Sequence, residues 1–181
     1  MGAGDGQVRA DELIEALGLD VLAGESGWWR LITESDVPVS LPGGRRLPAS
    51  NTLHLVLSPD RPVNRWHVLE SDDVHVLVEG GPVEYVLLPA AAPPRRLVLG
   101  HDLGAGETPV VIAAAGVWTG LRLVDPSTYA WIVTTVTPAW SPDRARIGLD
   151  AGVRDRVVDA EAWLTPALLD DLDDERPRRA R

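Results

Sequence analysis

The chain has 181 residues, 45% of them hydrophobic, and a formal net charge of −10, because 27 Asp and Glu residues outnumber 17 basic residues. This length allows one domain with a substantial hydrophobic core, and the negative charge opposes binding to nucleic acid or to an anionic membrane surface. The absence of cysteine excludes a disulfide framework and a thiolate nucleophile.

The first nine residues are rich in glycine and predict a loose N-terminal segment. A short helix is expected next, in which Asp11 caps the first turn, Leu13, Ile14 and Leu17 share one face, and Gly18 ends the helix. The N-terminus lacks the pattern of a signal peptide, and the longest apolar run, 110–118, is too short to span a bilayer. These features predict a cytoplasmic protein without a membrane partner.

Short runs rich in Val, Leu, Ile, Thr and Trp follow between Trp28 and Leu149, separated by turn signals that contain Gly, Pro or Asp. Nine strands in about 110 residues leave no room for the helical crossovers of a parallel sheet. The pattern therefore predicts an all-β antiparallel sandwich or barrel. The predicted strands are 27–32, 52–57, 63–69, 73–79, 83–88, 95–99, 108–112, 117–123 and 130–136.

The sequence becomes polar and helical from Asp150 onward, with one helical stretch near 159–164 and another near 166–169. An acidic block and an Arg-rich end follow, which predict a flexible tail. We therefore expect a barrel domain over 1–150, including the N-terminal helix, and a C-terminal helical extension with a flexible tail over 151–181.

Six motifs occur in order over three quarters of the chain, and together they resemble the cupin superfamily, within it the largely uncharacterised cupin type 5 family. The resemblance implies a double-stranded β-helix, which is a jelly-roll barrel, with a short N-terminal helix. It also implies pairing through the sheets as a homodimer. The motifs are Ala23 to Arg30, Trp66-His67 to Ser71-Asp72-Asp73, Gly80-Gly81-Pro82, Leu99-Gly100, Ala114 to Trp118, and Val136 to Trp140.

Metal-binding cupins generally offer two His residues two positions apart, a Glu shortly after, and a third His from a later strand, because several ligands must replace the water shell of the metal. In this chain His67 matches the first His position, Leu69 stands at the second, Asp73 replaces the Glu, and Thr119 stands near the last His. Only His67 and Asp73 then remain as metal ligands, unless His75 is a third. We therefore predict that the protein holds no metal and no other cofactor.

Asp73 and His75 are one residue apart on a predicted strand and so face the same side. The alternation continues into an inward row of Asp73, His75, Leu77 and Glu79. A carboxylate beside an imidazole suits proton transfer, although the row could instead face solvent, or His75 could simply form a hydrogen bond in a polar core. The resemblance places His67 inside the barrel as well. His67, Asp73 and His75 are the predicted catalytic residues.

Seven Trp residues with no Phe suggest a pocket for an aromatic, polyene or sugar-like ligand, with core filling as the alternative. Neighbours on a strand alternate, so Trp28 and Trp29 cannot both point inward. Arg30 could bind a carboxylate or phosphate, or pair on the surface. The predicted substrate-binding residues are Trp28, Trp29, Arg30, His54, Trp66, Glu79, Trp118 and Trp140.

The sequence has no phosphate-binding loop, dinucleotide fingerprint or nucleophile elbow. The first hypothesis is a metal-independent isomerase, epimerase, cyclase or lyase of small-molecule or secondary metabolism, which uses acid-base chemistry in a Trp-lined barrel pocket. The second hypothesis is a ligand-binding cupin without turnover. A metal-dependent oxygenase is the third, and it needs ligands that the sequence lacks.

Overall fold

The computed structural model describes residues 4–158 and 160–173. Within these residues it has three α-helices, namely α1 (Asp5–Leu17), α2 (Ala151–Val157) and α3 (Pro166–Asp171). The strands are β1 (Asp20–Val21), β2 (Trp28–Glu34), β3 (Pro38–Ser40), β4 (Arg46–Pro48), β5 (Asn51–Leu57), β6 (Val63–Leu69), β7 (Asp72–Gly80), β8 (Val83–Leu88), β9 (Arg95–Leu99), β10 (Val110–Ala113), β11 (Trp118–Leu123), β12 (Ala130–Thr137) and β13 (Ala145–Ile147). No helix in the described part of the chain is long and apolar enough to cross a membrane.

The strands form a six-stranded sheet in the order β1-β2-β5-β12-β7-β10 and a five-stranded sheet in the order β13-β6-β11-β8-β9. The short β3–β4 hairpin forms a separate two-stranded sheet. Strands far apart in sequence become neighbours, as β12 does between β5 and β7, which is typical of a jelly roll. The predicted all-β jelly-roll barrel with a small N-terminal helix is confirmed.

The space between the two large sheets is filled at one end and open at the other. Leu57 on β5, Leu77 on β7 and Ile132 on β12 are buried in the aliphatic cluster that fills the closed end. Farther along β7 and β12 the inward positions become polar, with His75 and Thr134. Because residues two apart on a strand face the same side, each strand supplies both the solid core and the wall of a pocket.

A second apolar cluster lies on the other face of the five-stranded sheet. Trp66 and Trp118 pack there against Leu164, Leu169 and Leu172 from the C-terminal helical region. The backbone ties the two parts together, since the Trp66 N–H donates to the Leu172 carbonyl at 3.0 Å. The C-terminal region therefore covers an apolar sheet face that would otherwise contact water. The predicted flexible tail starts at residue 170, but its described part is ordered, because α3 extends to Asp171 and Leu172 is fully buried. The rest of the predicted tail, from 174 onward, lies outside the described residues.

Helix α1 begins at Asp5. The prediction of a helix capped by Asp11 is therefore wrong, and so is the prediction of a loose segment through residue 9, as far as that segment is described. Tertiary packing explains the earlier start. Gly6 lies against the Ser127 backbone, where a Cβ would approach the carbonyl oxygen to 2.3 Å. The helix ends as predicted at Gly18, whose φ of 60° is the left-handed conformation that glycine adopts readily.

Candidate functional site

A pocket opens between the two large sheets at the hollow end of the barrel. The enclosed space within it is about 90 Å³. The wall is mainly apolar, with a polar group of side chains concentrated on β6, β7 and the loop before β2. The lining residues are Leu22, Glu25, Trp29, Asn51, Leu53, Leu55, Asn64, His67, Leu69, Asp73, His75, Thr134, Val136 and Trp140.

Three buried side chains form a chain of polar contacts across the barrel. His75 Nδ1 lies 2.8 Å from the Tyr85 hydroxyl, and His75 Nε2 lies 2.8 Å from Asp73 Oδ2. The second contact has the distance of an ion pair but not the angles of a hydrogen bond. Asp73 Oδ1 is also buried and has no hydrogen-bond partner among the described residues. The carboxylate therefore retains capacity for a further donor.

Tyr85 remains a neutral phenol at the end of this chain. Burial, and then the nearby charge of Asp73, raise the pKa of Tyr85 well above its ordinary value of 10. The hydroxyl therefore holds its proton at physiological pH and can either donate to or accept from His75. Because Tyr85 comes from β8, this contact joins the five-stranded sheet to β7 of the other sheet.

His67 lies in the pocket wall with its ring orientation fixed by the backbone. Its Nδ1 is 2.8 Å from the Arg65 carbonyl, which can only accept a hydrogen bond, so Nδ1 carries the proton. In the neutral ring, Nε2 then has the free lone pair. Glu25 Oε2 lies 3.7 Å from Nδ1. The described residues provide no hydrogen-bond partner for Nε2, which leaves it available to a bound molecule.

The structure brings the three predicted catalytic residues, His67, Asp73 and His75, to one pocket. Of the predicted substrate-binding residues, Trp29 and Trp140 also line it. Two imidazoles, one carboxylate and two indoles predicted from sequence thus share one chamber.

Trp66 and Trp118 lie outside the pocket, in the second apolar cluster. The Trp66 indole donates to the Leu169 carbonyl at 3.0 Å, and its ring lies against Gly120, where a Cβ would come within 3.0 Å of it. On β6, Trp66 faces opposite to His67, so only one of the two can face the interior. The C-terminal region covers this face and so explains the position of both Trp side chains. The sequence alone did not show that it does so.

Three more predicted binding residues point away from the pocket. The Trp28 indole donates to Ser58 at 3.1 Å, and Arg30 donates to the Gly18 carbonyl at 2.7 Å, which fixes the end of α1. His54 Nδ1 accepts from the Trp131 indole at 3.1 Å, and burial lowers the pKa of His54. Each of these side chains satisfies a structural contact on the outer side of the six-stranded sheet or at its edge.

Glu79 also leaves the predicted inward row, because β7 has a bulge. On β12, Ile132 pairs with Leu77 of β7, and the adjacent residue Trp131 pairs with Glu79 of β7. One residue along β12 therefore corresponds to two residues along β7. The bulge reverses the side that Glu79 faces. Its carboxylate binds Arg9 at 2.8 Å and the Tyr129 hydroxyl at 2.6 Å instead of facing the pocket.

Four further polar residues line the pocket although none of them was predicted to, namely Glu25, Asn51, Asn64 and Thr134. Thr134 could have been found by continuing the alternation from Ile132 on β12. Glu25 lies in a loop, where no periodicity applies, and its place depends on a tertiary contact in which the Arg65 N–H donates to the Glu25 carbonyl at 2.6 Å. A long-range contact of this kind has no local sequence signal.

The donor set does not fit the metal site common in the wider superfamily. Among the described residues, no group of three or more His, Asp or Glu side chains is arranged to hold a metal ion. The two ring nitrogens of His75 lie against Asp73 and Tyr85, so within this pocket the imidazole nitrogen that remains is Nε2 of His67. One nitrogen and separate carboxylates fall short of the three protein ligands of a typical catalytic metal site.

Comparisons with known proteins agree with this architecture. The profile of the Cupin_5 family, described as Cupin superfamily (DUF985), matches residues 11–147. A solved protein from Shewanella oneidensis is 18% identical with a TM-score of 0.75, covering 91% of this chain and 97% of its own. A hypothetical protein from Leishmania major is 20% identical with a TM-score of 0.72, covering 81% of this chain and 91% of its own. No curated protein matches the chain.

The family match extends over about three quarters of the sequence and includes every strand from β1 to β13. The two structural relatives have the same fold over nearly their whole length. The chain therefore belongs to the Cupin_5 family of the cupin superfamily.

Proposed function

We propose that this cupin is a small-molecule enzyme that moves protons on an organic substrate without a metal, as an isomerase, epimerase, cyclase or lyase does. The observation that carries the proposal is the state of His67. Its Nδ1–H is held by the Arg65 carbonyl, and the lone pair on Nε2 remains available at a pocket that also contains Asp73 and His75. A positioned neutral imidazole is the commonest general base in proteins.

In the proposed reaction, Nε2 of His67 removes a proton from an acidic carbon of the substrate, and the electron pair of that C–H bond moves into the neighbouring unsaturated group. Glu25, 3.7 Å from Nδ1, balances the positive charge that the ring acquires. His67 then returns the proton to another position on the same face of the substrate. Inversion at the same carbon, as in an epimerase, requires a second proton donor on the opposite face. The apolar wall and the indoles of Trp29 and Trp140 hold the substrate and exclude water.

A ligand-binding cupin without turnover is the second candidate. It is favoured by one observation, namely that both nitrogens of His75 already lie against protein side chains, so His75 can stabilise the wall without exchanging protons with a ligand. This candidate and the enzyme share the same pocket. They differ in whether a bound C–H group exchanges its proton.

The test measures exchange of α-protons for solvent deuterium in neutral cyclic and aromatic ketones, followed by proton NMR in D₂O. We expect catalysed exchange for at least one ketone and a loss of about 100-fold or more in His67→Gln. His101→Gln is the matched control, because His101 is exposed in a loop and should leave the rate unchanged.

Binding is followed in parallel with 5-fluorotryptophan-labelled protein, in which the ¹⁹F signals of Trp29 and Trp140 report on the pocket and that of Trp131 reports on the outer face. Ketones that shift the two pocket signals without any exchange would favour the ligand-binding protein. Equal exchange rates in His67→Gln and the native protein would overturn the role of His67.

A further inference from the structure

The pocket combines two carboxylates with no permanent cation. Glu25 and Asp73 line it, whereas none of the described arginines does, and the chain has no lysine. Arg65, two residues before His67, directs its guanidinium to the carbonyls of Gly24 and Asp173. An anionic ligand would therefore meet two negative charges and only imidazoles to offset them.

Asp73 adds an independent indication of what the pocket binds. Its side chain is only 9% exposed, and its Oδ1 has no hydrogen-bond partner among the described residues. A buried acceptor without a donor is costly, and a donor on the ligand would remove that cost. A neighbour of opposite charge would do so most effectively, because hydrogen bonds between charged groups are about twice as strong as neutral ones.

Aromatic side chains complete the arrangement at the mouth. Trp29 is half-buried, and Trp140 is 38% exposed. The face of an indole attracts cations through its quadrupole and also packs against apolar groups. The leucine side chains in the pocket wall favour an apolar body on the ligand.

From these contacts we infer that the ligand is a protonated amine with an apolar or aromatic body, whose ammonium group lies between Asp73 and Glu25. This inference rests on the proposed function only in using the same pocket. It does not depend on catalysis, because an amine could bind there with or without turnover. If the ligand is also a substrate, the ammonium group bound to Asp73 would place the adjacent carbon in the chamber that contains His67.

The test compares three molecules of similar size and different charge, namely phenethylamine, 2-phenylethanol and phenylacetate. Each is titrated into the fluorotryptophan-labelled protein while the ¹⁹F signals of Trp29, Trp140 and Trp131 are recorded. We expect phenethylamine to shift the first two signals with an affinity at least about 10-fold higher than that of 2-phenylethanol, and phenylacetate to bind most weakly.

Asp73→Asn and Glu25→Gln should each reduce the preference for the amine over the alcohol, and Glu15→Gln, which removes an exposed carboxylate on α1, should leave it unchanged. Glu25→Gln keeps the test decisive if Asp73→Asn does not fold. A preference for the alcohol or for phenylacetate, no pocket shift with any of the three, or an amine preference that persists in both pocket variants would overturn the inference. Because deuterium exchange of neutral ketones is measured separately, the proposed function can stand if this inference fails.

Discussion

The two pocket histidines are held in different ways, and this difference determines their roles. His67 is bound to a backbone carbonyl and keeps one nitrogen for the ligand. His75 is 2% exposed and has a side-chain neighbour at each nitrogen. Because a carboxylate favours an N–H on the nitrogen beside it, we expect the neutral His75 ring to carry its proton on Nε2 and to accept from Tyr85 at Nδ1.

Tyr85→Phe tests this arrangement. Removal of the hydroxyl leaves Nδ1 of His75 buried without a partner, and we expect the free energy of unfolding to fall by about 1–3 kcal/mol. Urea denaturation measures the loss, and ¹⁵N NMR of the ring nitrogens identifies the protonated one. A loss below about 0.5 kcal/mol, or a proton on Nδ1 of the native ring, would contradict the assignment.

At the scale of the strands, much of the fold was predictable. The predicted bounds of β6, β8 and β9 agree with the structure, because each is a short β-rich run between clear turn signals. The same alternation placed Asp73 and His75 together in the interior. It failed at Glu79, since a bulge changes which side a residue faces and depends on the partner strand. Local periodicity also does not show where a loop lies or how elements pack together. The first determines the position of Glu25, and the second explains why Trp66 is buried.

The bulge gives Glu79 a structural role in attaching α1 to the six-stranded sheet. Hydrogen bonds from Arg9, and then from Tyr129, lower the pKa of Glu79 to about 2 from its ordinary value of 4.5. A carboxyl group with a lowered pKa in the folded state stabilises the protein fully above pH 4.5, and this stabilisation is lost as the pH falls toward 2. The side chain is 33% exposed, so solvent screening reduces the effect to about 1–2 kcal/mol.

Glu79→Gln should therefore lower the free energy of unfolding by about 1–2 kcal/mol at pH 7, with a difference from the native protein that shrinks steadily below pH 4.5. Urea denaturation from pH 7 to pH 2.5 measures this difference, with Glu15→Gln, which removes an exposed carboxylate on α1, as a control. If the difference in the free energy of unfolding between Glu79→Gln and the native protein stays constant over this pH range, the ion pair of Glu79 with Arg9 is not what stabilises the protein.

For the whole molecule, the main question is whether the C-terminal region is a separate unit or part of the barrel. The leucines of this region are almost completely buried against Trp66 and Trp118. Arg122 on β11 also joins Glu84 on β8 to Asp171 on α3, with both nitrogen–oxygen distances 2.6 Å. Apolar burial and ion pairing thus connect the same surfaces, and residues 151–173 should unfold together with the barrel.

Leu169→Ala tests this expectation. Leu169 is fully buried, and removal of its side chain leaves a cavity that should cost about 2–5 kcal/mol. If barrel and C-terminal region form one cooperative unit, far-ultraviolet circular dichroism and the ¹⁹F signal of Trp140 in the distant pocket will report the same lowered midpoint. Leu103→Ala, at a residue 70% exposed, should leave the midpoint unchanged. Two separate transitions, with the Trp140 signal keeping the native midpoint, would show instead that the C-terminal region unfolds on its own.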